Sequence, residues 1–486
     1  MTNPPARFAN PLMADGESRP LKPCPTCGHA TPAFNRCRNC FRDVTGIEEL
    51  SAADAEQYLA EQAVLETERA EQETRQRSRK QLIRRVSAVA YTLFIGWWIY
   101  LTFIVTIPPL PGPTSNVRTV VSSADVWAVE GGSLGATRAT SAATNMAGSV
   151  AWETALSAAA TTSLIASSDT IFATLDNSRI AAIDASDGSL LWETQLQNVP
   201  VAPPTLAGDR LYIGQRGGVV IALDAATGNE VFRADPLPGN FGSSPLVTDG
   251  VIYAFVTGTV AGLDAETGEH LWIRDFKSFW AFVTPVIEGN VIALTTSAEA
   301  LLFDRTTGVQ TYFHPYRRSH PYAIAIDDGT VYAFSDRLGG ALNVDSRPPW
   351  WEGTRGAWSW FNRWGMLPTI PVPASDWLVR MPDDGYAPAF ASDRLLLATA
   401  DGKLLALSHA VGARLWSRGD LGDISSPPTM TAGGLLVTRS ADLLLIDPID
   451  GSTLQTLPLS GGLKHTTVTA HGTYITTTDG SVIAVR

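Results

Sequence analysis

From about residue 117 onward the chain is written in short apolar runs with a two-residue alternation, such as LYIG, VIYAF and VVIALD, each closed by Gly, Asp or Pro. That pattern predicts short β-strands joined by tight turns. The first hundred residues read differently. Residues 51–85 are dense in charge with a thin apolar stripe (Leu50, Tyr58, Leu59, Val64, Leu65), which predicts a solvated helix. Ser51 with Asp54 resembles a capping box at its start. Val86 to Ile107 then gives 22 residues without a charge.

The strand-rich region repeats. Six segments share an Asp-x-x-x-Gly pattern: IDASDGSLLW, LDAATGNEVF, LDAETGEHLW, FDRTTGVQTY, LSHAVGARLW and IDPIDGSTLQ. Their glycines are Gly188, Gly228, Gly268, Gly308, Gly412 and Gly451, with Gly148 as a degenerate earlier copy and Ser408 in place of one Asp. From Gly148 to Gly308 the period is 40. An aromatic follows four residues later at Trp152, Trp192, Phe232, Trp272, Tyr312 and Trp416, and Gln455 breaks the rule. Pro204, Pro245, Pro285, Pro388 and Pro428 each introduce a first strand. Four short strands per forty residues make one propeller blade. The Asp is expected to cap the turn, the Gly to supply positive φ and the aromatic to pack between blades. The fold class is therefore mainly β: an eight-bladed β-propeller over 117–486, with seven blades as the alternative and one irregular blade near Asp345. The strand in SVAWETAL is expected to complete the last blade.

These repeats resemble the PQQ-like (pyrroloquinoline-quinone type) β-propeller family over roughly residues 120–486, in particular the non-enzymatic propellers of bacterial envelope assembly machines. The family's quinoprotein dehydrogenases imply a vicinal cysteine pair, a Ca2+ cluster with an Asp base and a stacked Trp. Here no cysteine follows Cys40, no acidic cluster has Ca-loop spacing, and the outer histidines are scattered. Those departures argue against bound PQQ and against an enzyme. The expected role is a non-catalytic scaffold or accessory subunit of an envelope membrane complex. The alternatives are a membrane-bound PQQ-dependent oxidoreductase and a sensor coupling the propeller to the N-terminal region.

All four cysteines lie in that region. Cys24-Pro-Thr-Cys27 and Cys37-Arg-Asn-Cys40 are two C-x2-C pairs, the spacing of a tetrahedral thiolate site. The pattern resembles a zinc ribbon over 21–44 and implies a closed, structural Zn2+ site. His29 is surplus to the four ligands. Residues 1–20 read as disordered and 48–85 as a cytoplasmic helix. The stretch 86–107 reads as a single transmembrane helix of about 33 Å. Seven basic residues precede it and only Arg118 follows within 20 residues, which places the N-terminus in the cytoplasm and the propeller outside. Pro108, Pro109, Pro111 and Pro113 read as a stiff stalk over 108–116.

Charge adds one exclusion. Lys plus Arg number 36 and Asp plus Glu 48, a net −12, which opposes nucleic-acid binding. The repeat also breaks between Tyr312 and Trp416, where an insertion at 346–378 holds six of the fourteen tryptophans: Trp350, Trp351, Trp358, Trp360, Trp364 and Trp377. With Phe361 and Arg363 it reads as a docking patch for integral membrane or envelope proteins, with envelope glycan a lesser ligand.

Overall fold

Pro204, Pro245, Pro285, Pro388 and Pro428 stand immediately before the strands Thr205–Ala207, Leu246–Thr248, Val286–Glu288, Ala389–Phe390 and Thr429–Thr431. There the missing N–H interrupts no ladder. Each of these strands is the innermost of a four-stranded antiparallel sheet, and eight such sheets make the ring. A computed structural model of the chain describes residues 20–32, 35–37, 39–99, 110–143, 149–275, 284–296, 299–308, 310–315, 320–343, 375–381, 385–459 and 461–486.

Blade 1 consists of Ile165–Ala166, Thr170–Thr174, Arg179–Asp184 and Leu190–Gln195. Blades 2 to 7 span residues 205–233, 246–275, 286–315, 321–380, 389–418 and 429–458. Blade 8 takes Leu463–Thr469, Gly472–Thr477 and Ser481–Val485 and completes itself with Val150–Ala155, so the expected closure is present. It leaves no blade with an open outer edge for want of a fourth strand. The count is eight, and the alternative of seven is set aside. Inner and middle strands are buried almost throughout, as in Arg210–Gln215, Val219–Asp224 and Val251–Val256. The outermost strands alternate instead, as Leu190–Gln195 and Thr453–Pro458 do, with one face on the ring and one in solvent.

The turns behave as the repeat predicts. The Gly228 N–H donates to the Asp224 carbonyl at 2.8 Å, and the Thr227 N–H donates to Asp224 Oδ1 at 2.9 Å. The same pair of bonds recurs at Asp304 with Gly308 and Thr307. Gly188, Gly228, Gly268, Gly308, Gly412 and Gly451 all have φ between 65° and 79°. Each aromatic that the structure describes at the outer strand then meets the glycine of the next blade. Trp152 faces Gly188, Trp192 faces Gly228, Phe232 faces Gly268 and Trp416 faces Gly451. Trp272 is the exception: it folds back over Gly262 of its own blade, and Leu110 occupies the position against Gly308.

Blade 5 holds the break in the period. Its third strand ends at Asn343 and its fourth is Ser375–Arg380, so the insertion sits in the turn between them. Trp377 lies on that fourth strand, against Gly412, with Nε1 donating to the His409 carbonyl at 3.0 Å. It is the inter-blade aromatic of blade 5 and is only 6% exposed, so it does not belong with the inserted loop.

The N-terminal unit, residues 1–105, is separate. It contains a two-stranded ribbon, β1 (Leu21–Pro23) and β2 (Ala30–Pro32), and one long helix, α1 (Ala52–Ile99). Ser51 caps α1: the Asp54 N–H donates to Ser51 Oγ at 3.3 Å, and that hydroxyl donates to Asp54 Oδ2. Tyr58 fastens the helix to the ribbon through a 2.8 Å bond from its hydroxyl to the Gly28 carbonyl.

The expected membrane span is not supported. Among the described residues the apolar stretch from Val86 is helical through Ile99. Residues 100–107 lie outside the described residues. No helix among the described residues is long and apolar enough to cross a membrane. The single-pass anchor is corrected on that finding. So are the cytoplasmic and extracytoplasmic sides assigned from it.

Candidate functional site

Two clusters carry chemistry, one in each unit. In the first, two turns of the same construction face each other. The Cys24 N–H donates to the His29 carbonyl and the Gly28 N–H to the Cys24 carbonyl. In the second turn Cys37 pairs in the same way with Arg42 and Phe41. Gly28 and Phe41 occupy equivalent positions, and both are left-handed, with φ of 70° and 59°. The four Sγ atoms lie within 4.8 Å of one another, with Cys24–Cys40 and Cys27–Cys37 at 3.5 Å. A tetrahedron of 2.3 Å metal–sulfur bonds has edges of about 3.8 Å, so Cys24, Cys27, Cys37 and Cys40 could hold one metal ion. Cys24 and Cys37 are fully buried. Backbone N–H groups of Cys27 and Thr26 pull the Cys24 thiol down, while burial and the three neighbouring thiols push Cys40 up, so the four titrate as one set. His29 turns to Asn39, at 3.2 Å, and stands outside the ligand set.

The second cluster is at the propeller axis. A segment ahead of the first blade, residues 120–142, has almost no regular structure of its own, yet it bonds to the inner strand region of every blade. Trp127 exchanges both backbone bonds with Ala166 of blade 1. The carbonyls of Ala128, Leu134, Gly135, Thr137 and Arg138 accept from Leu206, Ile287, Ile326, Phe390 and Met430 of blades 2, 4, 5, 6 and 7. The Val120 N–H donates to Val247 of blade 3, and Ala124 accepts from Ala470 of blade 8. The inner strand of a propeller blade has a free edge toward the axis, and this segment takes up part of that edge in all eight. The approach is close. A Cβ on Gly135 would overlap the Ile326 carbonyl oxygen.

Beside this segment lies a cavity of about 390 Å3, lined also by the residues that lead into the inner strands. Arg138 and Glu130 reach it from the axial segment, and Tyr322, Ser426 and His465 from the blades. Arg138 is 6% exposed, donates from Nε to the Pro428 carbonyl at 3.1 Å, and lies 5.9 Å from the Trp127 ring centroid. Burial lowers it to about 10, still charged at neutral pH. Glu130 accepts the Thr284 hydroxyl at 2.6 Å. Among the described residues the lining offers one carboxylate, no thiol and no tryptophan, which does not fit a pyrroloquinoline quinone held over a divalent cation.

Of the residues expected at a docking patch, Trp350, Trp351, Trp358, Trp360, Phe361, Arg363 and Trp364 lie outside the described residues. Sequence reading missed the axial segment and Arg138. The signals were a Gly-Gly pair at 131–132 and a lone basic residue in a stretch of small side chains.

Among known proteins, the family profile described as Outer membrane protein assembly factor BamB matches residues 112–203 and 176–337. No curated protein sequence matches the chain. Among solved structures, BamB from Moraxella catarrhalis is 16% identical, covers 70% of this chain and 97% of its own, and has a TM-score of 0.55. The computationally designed Ika8 protein is 13% identical over 68% of this chain and 97% of its own, at 0.56. Quinohemoprotein alcohol dehydrogenase from Comamonas testosteroni is 13% identical over 74% and 80%, at 0.55. At such identities the likeness is one of fold, and that fold serves a designed protein and an alcohol dehydrogenase as well as BamB. Residues 106–486 are an eight-bladed β-propeller whose first half matches the BamB-type repeat.

Proposed function

We propose that the propeller is a non-catalytic scaffold, an accessory subunit that docks another protein of a bacterial envelope assembly complex, and that the four cysteines hold a structural Zn2+. The observation that carries the scaffold reading is that the repeat's polar and aromatic residues are spent on the ring. The repeat aspartates bond their own turns, and the inter-blade tryptophans donate to carbonyls of the neighbouring blade at 3.0–3.1 Å. The BamB-type family match supports the same reading. The Trp-rich insertion is the proposed docking element, with Trp358, Trp360 and Trp364 as anchors and Arg363 as an orienting cation.

The test is co-purification of the full chain with its partner at a fixed ratio through gel filtration, compared with a variant carrying Trp358, Trp360 and Trp364 all changed to Ser. The expected result is a partner lost in the variant while the melting temperature holds. A variant that melts far lower and keeps its partner makes the loop structural. Stoichiometric binding of pyrroloquinoline quinone with Ca2+, together with dye-linked oxidation of an alcohol, would replace the scaffold by the oxidoreductase.

A further inference from the structure

A buried guanidinium without a counter-ion is an expensive group, because desolvation is not returned unless an anion or a full set of acceptors replaces the lost water. Arg138 is in that position. Among the described residues it makes no ion pair, and Nε alone of its three nitrogens has a protein acceptor. Glu130, the acid whose charge acts on it, is not within ion-pair distance and already accepts from Thr284. The surrounding lining has unspent bonding capacity too. The Ser426 hydroxyl, in a residue 2% exposed, and the Tyr322 hydroxyl are both buried without a partner. A buried hydroxyl left unbonded is destabilising, so both groups favour an arriving acceptor.

The backbone is built to hold this arrangement. Arg138 sits in the left-handed region at φ 49°, and Ala136, two residues earlier, at φ 52°. Non-glycine residues adopt that region only with backbone strain, and such positions concentrate at binding sites. The turn is closed by the Arg138 N–H donating to the Gly131 carbonyl at 2.9 Å. On its far side the Arg138 carbonyl is tied to Met430, so the guanidinium is presented from a fixed base.

We propose that the axial cavity binds a small molecule through an oxyanion group, a carboxylate or a phosphate, with Arg138 as its cation and Ser426 and Tyr322 as neutral donors. The guanidinium fork suits either anion. The cavity volume is within the range of small-molecule sites. Glu130 shares the space and opposes any anion there, so it sets an upper limit on affinity and favours a ligand with a neutral or cationic portion.

The experiment is calorimetric titration of the purified full chain with sodium succinate and, separately, inorganic phosphate, each against sodium chloride at equal ionic strength. The expected result is saturable binding of at least one of them. Succinate alone points to a carboxylate ligand, phosphate alone to a phosphorylated one. Arg138→Gln should weaken binding at least tenfold, Ser426→Ala several-fold, and Glu130→Gln should tighten it. Binding no stronger than with chloride overturns the proposal, as does saturable binding that Arg138→Gln leaves unchanged. Should Arg138→Gln fail to fold, the other two variants decide. An affinity that neither Ser426→Ala nor Glu130→Gln moves in the stated direction also overturns it.

Discussion

Trp192 of blade 1 lies so close to Gly228 of blade 2 that a Cβ on the glycine would stand 2.5 Å from the indole Cε3. The same indole donates from Nε1 to the Ala225 carbonyl at 3.1 Å, and Thr194 Oγ1 donates to the Gly228 carbonyl at 2.8 Å. One glycine thus meets both the bulk and the hydrogen bonds that join two blades.

Gly228→Ala should therefore destabilise the propeller by about 2–4 kcal/mol, through a left-handed alanine and an overpacked indole together. Trp192→Phe keeps most of the ring and loses the Nε1 bond, a cost of about 1 kcal/mol. Urea unfolding of the two variants checks the order. A Gly228→Ala protein as stable as wild type refutes the account of the seam.

The four-cysteine site should carry close to one Zn2+ per chain, lost on Cys37→Ser, as elemental analysis of the purified protein can show. Phe41 supplies a sharper test. It is 75% exposed and left-handed at the position where the first turn has Gly28. Phe41→Gly should remove backbone strain of about 1 kcal/mol and slow metal loss to a competing chelator. Faster loss than wild type would count against the equivalence of the two turns.

His465 gives the pH dependence. Burial, then the charges of Arg138 and Lys464, lower its imidazole to about 4 from an ordinary 6.5. The unfolded chain takes up this proton near pH 6.5 and the folded chain does not. Stability from this group is thus complete above about pH 6.5 and is lost as the pH falls toward 4. His465→Gln, neutral at every pH, should show a shallower fall in melting temperature between pH 7 and 4.5. Parallel curves for the two proteins rule the effect out.

The axial segment makes its own demand. Gly135 has no room for a side chain beside the Ile326 carbonyl. Gly135→Ala should push the segment off blade 5 and raise amide exchange at Ile287, Ile326 and Phe390 together, since their acceptors, Leu134, Gly135 and Thr137, lie within four residues of one another. Exchange that rises only at Ile326 would mean the bonds are independent.

Most of the ring is legible in the sequence, because the turn chemistry repeats: Asp224, Gly228 and Trp192 have counterparts forty residues on. Cys24, Cys27, Cys37 and Cys40 are legible because two C-x2-C pairs so close in sequence have few other uses. Trp377 is misread because the insertion ahead of it breaks the period, so it is counted with its neighbours in sequence rather than with Trp192 and Trp416. The axial segment is hidden for a different reason. Its bonds are made by backbone carbonyls, which have no side-chain signature, and Arg138 is conspicuous only once its surroundings are dry. The run from Val86 is over-read because hydropathy alone makes it a span, whereas no helix among the described residues is long and apolar enough to cross a membrane.

The axial segment also bears on how the chain reaches its fold. It comes before every inner strand it bonds, and Arg138 takes its acceptor, Pro428, from 290 residues further on. A propeller assembled from self-contained blades would have mostly local contacts. This one cannot satisfy its first stretch until the eighth blade exists, because Ala124 accepts from Ala470. High contact order of that kind predicts slow, cooperative folding of the ring as a unit, with residues 120–142 as the last part to become protected rather than the first.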